Sequence, residues 1–538
     1  MPDIVVIGGG HNGLIAATLF AKAGLRPLVL ERTDRVGGCA RTTEMAPGFR
    51  CPTLAHTAAI DPGIVRALAL ERHGLHVIRS EADACAPALD RPALTLWRDP
   101  ARAITEIRSF SSKDADRYPQ FLESFRRIGR VLRRVSSTVP PSIDDPTAAD
   151  ATRLLRAGRA FRALGRPDAY RLLRWMPMAV ADLATEWFES EPLRATIAAG
   201  GVLGSFLGPW SAGSAAILLL LGAGEGEPVA NGWLAKGGPG AIADALAAAA
   251  REHGVEIRTG TDVVQIDVND NAATGAVLAS GERVAARALV SSADPKRTFG
   301  LVDPTRFDPA FVRRTLNVRV RGTLAKVNYA VSALPRFTSL RSRDANDQAG
   351  ALSGRVRLAH DIDSIERAFD AAKYGAFADE PWMELTIPSI ADSSLAPPGR
   401  HVVSAYVQYA PYHLAGTGWD AERNRLGDVA TATIAKYAPG FESLVLAREV
   451  ITPLDLERTY GLTGGDIFHG ELALDQWFVT RPMLGFARYA TPIRNLFLCG
   501  SGTHPGTGLN GRSGALAAKE ILRTIKRGGR SGTASRPS

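Results

Sequence analysis

The first thirty residues contain two short apolar runs separated by a glycine-rich turn and a helical pattern. Residues 4–7 are apolar at every position, which is typical of a strand buried on both faces of a parallel sheet. Residues 12–24 carry apolar side chains at helical spacing, and residues 27–31 form the second apolar run. This order predicts a β-α-β unit at the start of the chain.

Two later parts of the chain show the same kind of pattern. An alanine-rich helix is predicted over 241–252, and a last strand at 496–499 leads through a glycine-rich turn into a helix over 511–526. Between these parts lie an Arg-rich helical region and a region of mixed strands and helices. We therefore predict an α/β fold, with a Rossmann-like nucleotide-binding domain assembled from discontinuous segments and an α+β second domain with a mixed sheet and helices. The predicted segments are 1–90, 230–298 and 460–526 for the nucleotide-binding domain, 91–229 and 299–459 for the second domain, and 527–538 for a disordered tail.

Length and composition fit a soluble enzyme of more than one domain. The chain has 538 residues, of which 45% are hydrophobic and 22% charged. The net charge of +9 is concentrated in residues 98–175, which hold 17 Lys and Arg against 9 Asp and Glu. Such a stretch is either a solvated helical face or a surface for anionic lipid, and we expect no nucleic-acid partner.

The cysteines and one uncharged segment bear on the compartment. Cys39, Cys51, Cys85 and Cys499 lie far apart with no C-x-x-C pair, which predicts neither a metal site nor a redox dithiol and suits a reducing cytosol. A strand at residue 4 leaves no room for a secretory signal, so we expect a cytoplasmic protein. Residues 197–224 are uncharged but interrupted by glycines, which favours a buried helix or cavity lining over a membrane span. Any membrane contact would be peripheral.

The first motif that carries chemistry is the turn after the first strand. Gly8, Gly10 and Gly13 stand in the G-x-G-x-x-G spacing, and Glu31 ends the next strand. Gly8 permits the tight turn, Gly10 lets the backbone approach a pyrophosphate, and Gly13 lets helix and sheet pack closely. Glu31 would accept hydrogen bonds from an adenosine ribose. Two further candidate contacts in this turn are His11 and Asn12.

A glycine doublet follows the ribose acid. Gly37 and Gly38 would keep backbone amides close to the dinucleotide, a feature that separates FAD-binding chains from simple NAD dehydrogenases. The arginines of this stretch are candidate phosphate partners, with a solvated surface role as the alternative; they are Arg32, Arg35 and Arg41.

The third motif is the glycine-rich turn near the end of the chain. A strand, a turn and a helix start form a second anion-facing site; in a flavoenzyme the helix N-terminus would face the pyrimidine edge of the reduced flavin. The candidate contacts are Gly500, Ser501, Gly508, Leu509 and Asn510. His504 is the titratable side chain inside this motif. It is a candidate general base or a hydrogen-bond donor to cofactor or substrate, and a histidine that stabilises the turn is the alternative.

Together these motifs make the chain resemble the phytoene desaturase-like branch of the FAD-dependent oxidoreductases. The matching stretches include Gly37-Gly38, 236–240, 292–295, 468–471 and 499–506, so the resemblance spans nearly the whole chain. It implies FAD bound by the three motifs and by the backbone near Val263. There are two departures: Cys39 stands where the family commonly has Arg, and Thr507 interrupts the family's last glycine run.

The resemblance and the missing motifs point to one reaction class. No second strand–GxGxxG–helix unit follows the first, and no redox dithiol is present, which argues against a disulfide reductase. The expected reaction moves a hydride between flavin N5 and a C–H or C=C centre of an apolar, isoprenoid- or lipid-like substrate. The predicted lining of the apolar tunnel is residues 197–224 with Phe206, Trp210 and Trp233, although a core role fits them equally. His56 and His469 are interpreted as structural.

Other functions remain open at this point. An amine oxidase shares the cofactor fold, a saturase would run the flavin in the opposite direction, and a non-catalytic prenyl- or lipid-binding protein could use the same scaffold. The expected electron acceptor is oxygen or a quinone. The sequence leaves the oligomeric state open.

Overall fold

A five-stranded parallel sheet forms the first layer of the fold. The computed structural model describes residues 1–57, 59–226, 228–229 and 233–531. The sheet joins strands from three separate parts of the chain, which confirms the predicted Rossmann-like domain made of discontinuous segments. Its strands, in spatial order, are Leu496–Leu498, Ala288–Ser291, Ile4–Ile7, Pro27–Leu30 and Glu256–Arg258.

The strands are apolar on both sides, and both faces of this sheet are covered: one by helices, the other by the three-stranded sheet within 263–285 and two short helices. The strand Ile4–Ile7 is buried at all four positions. The helix His11–Lys22 packs between the helices Gly240–Glu252 and Arg512–Ser531, which belong to the other two parts of the chain. The last helix runs through Ser531, beyond the predicted start of the tail at 527, and residues 532–538 lie outside the described residues.

A seven-stranded mixed sheet forms the second layer. Its strands pair antiparallel, except for the parallel pair Arg355–Leu358 and Ala82–Ala86. Ala82–Ala86 falls inside the predicted segment 1–90 yet pairs in this second sheet. The strands, in spatial order, are Val445–Ile451, Leu324–Val331, His401–Gln408, Trp382–Thr386, Arg355–Leu358, Ala82–Ala86 and Leu94–Trp97.

The two faces of the seven-stranded sheet differ. One face is apolar and packs against the helix Trp419–Tyr437, with Val356, Leu385 and Val407 in the shared core. Because side chains alternate along a strand, the residues between these positions point to the opposite face. Part of that face packs against the helical region through Ala84 and Trp382, and its polar part, with Arg357 and Tyr406, lines the candidate site.

Helices and small sheets fill the rest of the described chain. The Arg-rich region forms helices whose apolar sides share one core with the segment that follows. The smaller sheets pair Val263–Asn269 with Ala272–Leu278 and Arg283–Ala285, Thr42–Ala46 with Phe49–Pro52, and Val77–Ile78 with Leu234–Ala235. The remaining α-helices are Pro62–Ala67, Pro100–Arg108, Ser112–Ser136, Ala148–Arg162, Gly165–Trp175, Val180–Trp187, Glu191–Ala199, Ser214–Glu225, Pro295–Gly300, Pro309–Asn317, Ala345–Leu352, Ile362–Lys373, Pro388–Ala391, Phe441–Leu444 and Pro453–Tyr460.

The uncharged segment 197–224 is not one continuous helix. It comprises the end of the helix Glu191–Ala199, a glycine-rich turn and most of the helix Ser214–Glu225. Within the described part of the chain, no helix combines the length and apolar character needed to cross a bilayer.

Candidate functional site

One large cavity connects the two sheets. It extends from the carboxyl ends of the strands Ile4–Ile7 and Pro27–Leu30 to the polar face of the seven-stranded sheet, and its connected space is about 2100 Å³, part of it open to solvent. Ligands of open α/β sheets bind at the carboxyl ends of the strands, so this position suits a dinucleotide. We call the part lined by Gly8, Gly10 and Glu31 the dinucleotide end. We call the part lined by Arg355, Arg357 and Tyr406 the sheet end.

Glycine geometry shapes the dinucleotide end. Gly8 has a φ of 92°, which favours glycine, and lines the cavity. A Cβ on Gly10 would meet no protein atom within 4 Å. The protein itself therefore leaves room for a side chain here, and only a ligand bound in the cavity would exclude one. A Cβ on Gly13 would instead lie 2.2 Å from the Gly8 carbonyl oxygen. Gly13 therefore serves close packing and does not itself line the cavity.

The glycine doublet is joined to the first turn by the backbone. The Gly37 N–H donates to the Gly9 carbonyl at 2.9 Å. Gly37 and Gly38 have φ values of 120° and 56°, in the region that side chains rarely adopt. Both line the cavity, so the doublet brings main-chain atoms to its wall as predicted from the sequence.

Glu31 is buried at the end of its strand, on the cavity wall. Its Oε2 accepts from the Gly9 N–H at 2.8 Å, and its Oε1 accepts from the N–H and hydroxyl of Thr33 at 3.0 and 2.7 Å. A carboxylate has about four acceptor sites. One therefore remains for a ribose hydroxyl.

The three candidate arginines differ in placement. Arg41 is buried, lines the cavity, and donates to the Thr33 hydroxyl and the Arg35 carbonyl. Arg32 also lines the cavity and donates to the carbonyls of Arg458 and Thr459. Arg35 is exposed and pairs with Asp34.

The C-terminal turn meets the first turn through Asn12. The Asn12 amide donates to the Ser501 hydroxyl at 3.0 Å, and its oxygen accepts from the Gly514 N–H at 3.0 Å. Asn510 shapes the turn before the last helix, because its amide donates to the Thr507 carbonyl at 2.8 Å. The predicted residues of this turn that line the cavity are Ser501, Gly508, Leu509 and Asn510, and Val263 joins them from the second segment.

Two predicted residues of the C-terminal motif lie outside the cavity lining. A Cβ on Gly500 would stand 2.2 Å from the Ser292 carbonyl oxygen, so this glycine serves packing. His504 is completely buried, and its ring lies against Phe478 with the centroids 5.4 Å apart. Burial lowers the pKa of His504 to about 3. A neutral, enclosed imidazole away from the cavity does not fit the general base considered from the sequence.

The sheet end contains charged residues that the sequence analysis missed. Strand register places Arg357, Glu384, Tyr406 and Lys326 side by side across four strands. Glu384 is fully buried and bonds both Arg355 Nη1 (3.2 Å) and Arg357 Nε (3.0 Å). Arg355, Arg357 and Tyr406 line the cavity.

A loop from the first segment lies against this polar face. Lys326 Nζ and the Tyr406 hydroxyl both donate to the Leu54 carbonyl at 2.7 Å. His56, two residues further on, stacks on Tyr406 with ring centroids 3.7 Å apart. Burial lowers the pKa of Lys326 to about 7, and burial with the neighbouring charges of Lys326 and Arg355 lowers the pKa of His56 well below its ordinary value.

An apolar wall completes the sheet end. The segment 197–224 contributes Leu203, Leu218 and Leu221 to the lining, as the sequence analysis expected of this segment. The three aromatic residues proposed with it do not line the cavity. Phe206 packs on Phe369, while Trp210 and Trp233 are exposed; the other apolar lining residues here include Leu54, Ile467 and Phe468.

Several buried polar atoms without hydrogen-bond partners belong to side chains that line the cavity. Among the described residues, His11 Nε2, Arg41 Nε, His469 Nδ1 and both ring nitrogens of His56 are buried without a hydrogen bond, and all four side chains line this cavity. Native proteins rarely leave such groups unpaired. Together with the open space at Gly10 and the acceptor site on Glu31, they fit a bound dinucleotide such as FAD.

Two family models match the chain. A model of flavin containing amine oxidoreductases matches residues 182–522, and one of NAD(P)-binding Rossmann-like domains matches residues 6–77. Among solved structures, an oxidoreductase from Methanosarcina mazei superposes with a TM-score of 0.59 at 15% identity, over 97% of this chain and 99% of that one. Cyclohexylamine oxidase from Brevibacterium oxydans superposes with a TM-score of 0.55 at 14% identity, over 98% and 99%. At these identities the structures show a shared fold.

Curated relatives align over nearly the full length. Pyridine nucleotide-disulfide oxidoreductase domain-containing protein 2 from Rattus norvegicus is 36% identical over 97% of this chain and 94% of its own. One of the subunits of limonene dehydrogenase from Castellaniella defragrans is 26% identical over 97% and 95%. Phytoene desaturase (lycopene-forming) from Pantoea ananas is 26% identical over 96% and 98%.

Proposed function

Because the chain belongs to the flavin-containing amine oxidoreductase family and uses FAD, we propose that it is a dehydrogenase or desaturase for an apolar, isoprenoid- or lipid-like substrate. FAD, when bound, supplies hydride transfer at a carbon centre. The observation that carries the proposal is the apolar wall of Leu203, Leu218 and Leu221, which shares one cavity with the dinucleotide end. The names of the two relatives at 26% identity, a limonene dehydrogenase and a phytoene desaturase, support an unsaturated hydrocarbon-like skeleton.

The chain's own residues would bind the cofactor and keep water away from the reacting carbon. The backbone at Gly8, Gly10 and Gly38 would hold the pyrophosphate, and Glu31 would accept a hydrogen bond from the ribose. His11 and His469 are neutral, because burial lowers the pKa of each to about 4. Their imidazoles would form hydrogen bonds with polar edges of the cofactor. The leucine wall would exclude water from the substrate carbon.

An amine oxidase is the second candidate, since the family model is described by that activity. The sheet end favours it less, because the guanidinium groups of Arg355 and Arg357 line the cavity there. An ammonium group would be repelled there.

Anaerobic bleaching of the flavin tests the proposal. The purified holoprotein is mixed in turn with unsaturated isoprenoids, long-chain lipids and amines, and the visible flavin band is followed. We expect isoprenoids or lipids to bleach the band and amines to leave it unchanged. Bleaching by amines alone would assign the protein to the amine oxidases. Re-oxidation by air or by a quinone then tests our proposal that one of these accepts the electrons.

A further inference from the structure

His56 is a buried polar side chain with a fixed position at the sheet end. It is 5% exposed, lines the cavity, and stacks on Tyr406 with an interplanar angle of 19°. Its backbone N–H donates to the Tyr406 hydroxyl at 3.2 Å, which fixes the loop as well as the ring. Among the described residues, neither ring nitrogen has a hydrogen-bond partner. His504 also has two buried ring nitrogens without partners in the described part of the chain, but of the two rings only that of His56 lines the cavity, where a ligand group could make both bonds.

The charges around His56 indicate the sign of that group. Arg355 and Arg357 line the same cavity, and their bonds to Glu384 and, for Arg357, to the Thr196 carbonyl hold the guanidinium groups in place. The Glu384 Oε1 lies 4.0 Å from His56 Nδ1. Burial, followed by the charges of Lys326 and Arg355, lowers the pKa of His56, so the imidazole is neutral and has one N–H to donate. A neutral donor among cations suits an anionic oxygen.

The cavity beside this cluster is apolar. Leu203, Leu218 and Leu221 line it from the helical segment, and Phe468 lines it from the C-terminal part. A wholly apolar substrate would leave the His56 nitrogens unpaired, whereas an amphiphile would satisfy the ring and fill the leucine wall at once.

We propose that the sheet end binds the carboxylate of a long-chain or isoprenoid acid, with His56 as hydrogen-bond donor and Arg355 and Arg357 as fixed positive charges. The inference rests on the proposed function, which it deepens by naming the substrate class. The acid's chain lies along Leu203, Leu218 and Leu221, and its carboxylate is held at the polar face of the sheet. The same arrangement selects against amines of equal chain length.

Binding of three ten-carbon probes tests this assignment. The FAD-loaded protein is titrated with decanoate, decanol and decylamine, and the shift of the flavin absorption band gives each Kd. We expect decanoate to bind at least about tenfold more tightly than decanol, since hydrogen bonds to charged groups are worth about one to two factors of ten. Equal or weaker binding of decanoate, including no binding of any probe, overturns the proposal.

His56→Phe keeps the aromatic stack and removes both nitrogens. We expect this variant to bind decanoate about tenfold more weakly and decanol unchanged. His401→Phe is the matched control, because His401 lies on the same sheet outside the cavity lining and its substitution should change neither Kd. If the control loses decanoate binding, or if His56→Phe keeps it in full, decanoate is attracted to the basic protein in general. Either result would overturn the assignment.

Arg357→Lys provides a second arm should His56→Phe fold poorly. Lysine keeps a positive charge near Glu384 but loses the planar guanidinium, so we expect the preference for decanoate over decanol to shrink by about tenfold while flavin content stays constant. An unchanged preference argues against the assignment. Because these titrations need no turnover, a decanoate preference without bleaching by any C–H substrate would overturn only the proposed function. Bleaching by hydrocarbons without that preference would overturn only this inference.

Discussion

The two ends of the cavity are built in different ways. The dinucleotide end presents main-chain atoms from tight turns, where Gly8, Gly37 and Gly38 take φ values that favour glycine. The sheet end presents the side chains of Arg357, Glu384 and other strand residues, whose positions depend on strand register. The first end therefore depends on the absence of side chains, and the second depends on charges held in a buried network.

Gly10→Val should have the largest effect on the dinucleotide end. A Cβ there meets no protein atom and Gly10 has an ordinary φ of −68°, so we expect a folded protein that purifies without flavin. Gly158→Val is the control, because its Cβ also meets open space but the residue lies outside the cavity lining. Flavin absorbance per protein and the thermal unfolding midpoint measure the outcome. A Gly10→Val variant with full flavin content would show that the phosphate turn is misassigned.

Glu384→Gln should lower the free energy of unfolding by disrupting the buried ion pairs of the sheet end. The change leaves two arginines beside a neutral amide in a fully buried position, and breaking such a pair costs about 3–5 kcal/mol. Glu380→Gln is the control: its partner Lys436 is exposed, and surface pairs contribute at most about 1 kcal/mol. Urea unfolding of both variants gives the comparison. A loss below about 1 kcal/mol for Glu384→Gln would mean that the polar face does not depend on this carboxylate.

The contrast also explains which parts could be predicted from the sequence. Gly8, Gly10 and Glu31 stand at a spacing that follows from one local unit, a strand, a turn and a helix. Gly13 and Gly500 belong to the same motifs but serve packing against Gly8 and Ser292, a distinction that needs coordinates. The motif establishes the unit, while the structure separates its lining residues from its packing residues.

The sheet end was not predictable from the same kind of signal. Arg355 and Arg357 alternate with Val356 and Leu358, a pattern that ordinarily indicates a strand with one solvated face. Glu384 lies far along the chain, and only the pairing of the strands brings it between the arginines and Tyr406. The buried side of an alternating strand can be identified only once its neighbours are known.

Lys326 offers a test of the sheet end through pH. Burial lowers its pKa to about 7, whereas an unfolded lysine titrates near pH 10.4. Between these values the unfolded chain binds more protons than the folded protein, so this residue makes the free energy of unfolding rise with pH. We expect the native protein to gain up to about 1.4 kcal/mol per pH unit relative to Lys326→Met between about pH 7.5 and 9.5.

Urea unfolding at several pH values measures this difference. Lys436→Met, which removes an exposed lysine, serves as control and should leave the pH dependence unchanged. A constant difference between native protein and Lys326→Met would show that Lys326 carries its charge with no penalty from burial. Water would then reach the polar face of the sheet more freely than the buried position of Lys326 indicates.

Trp210→Phe should have the smallest effect on stability and flavin bleaching. It tests whether the substrate site extends to this exposed tryptophan. Trp210 is a candidate for cavity lining by sequence alone, but it is 46% exposed and its indole N–H donates to Asp363 at 3.1 Å. Loss of that surface bond should lower the free energy of unfolding by about 1 kcal/mol or less and leave flavin bleaching unchanged. Leu221→Ala, on the cavity wall, should instead slow bleaching at subsaturating substrate. Slower bleaching in Trp210→Phe would extend the substrate site beyond the leucine wall, and the sheet end would then include a surface that the present cavity leaves out.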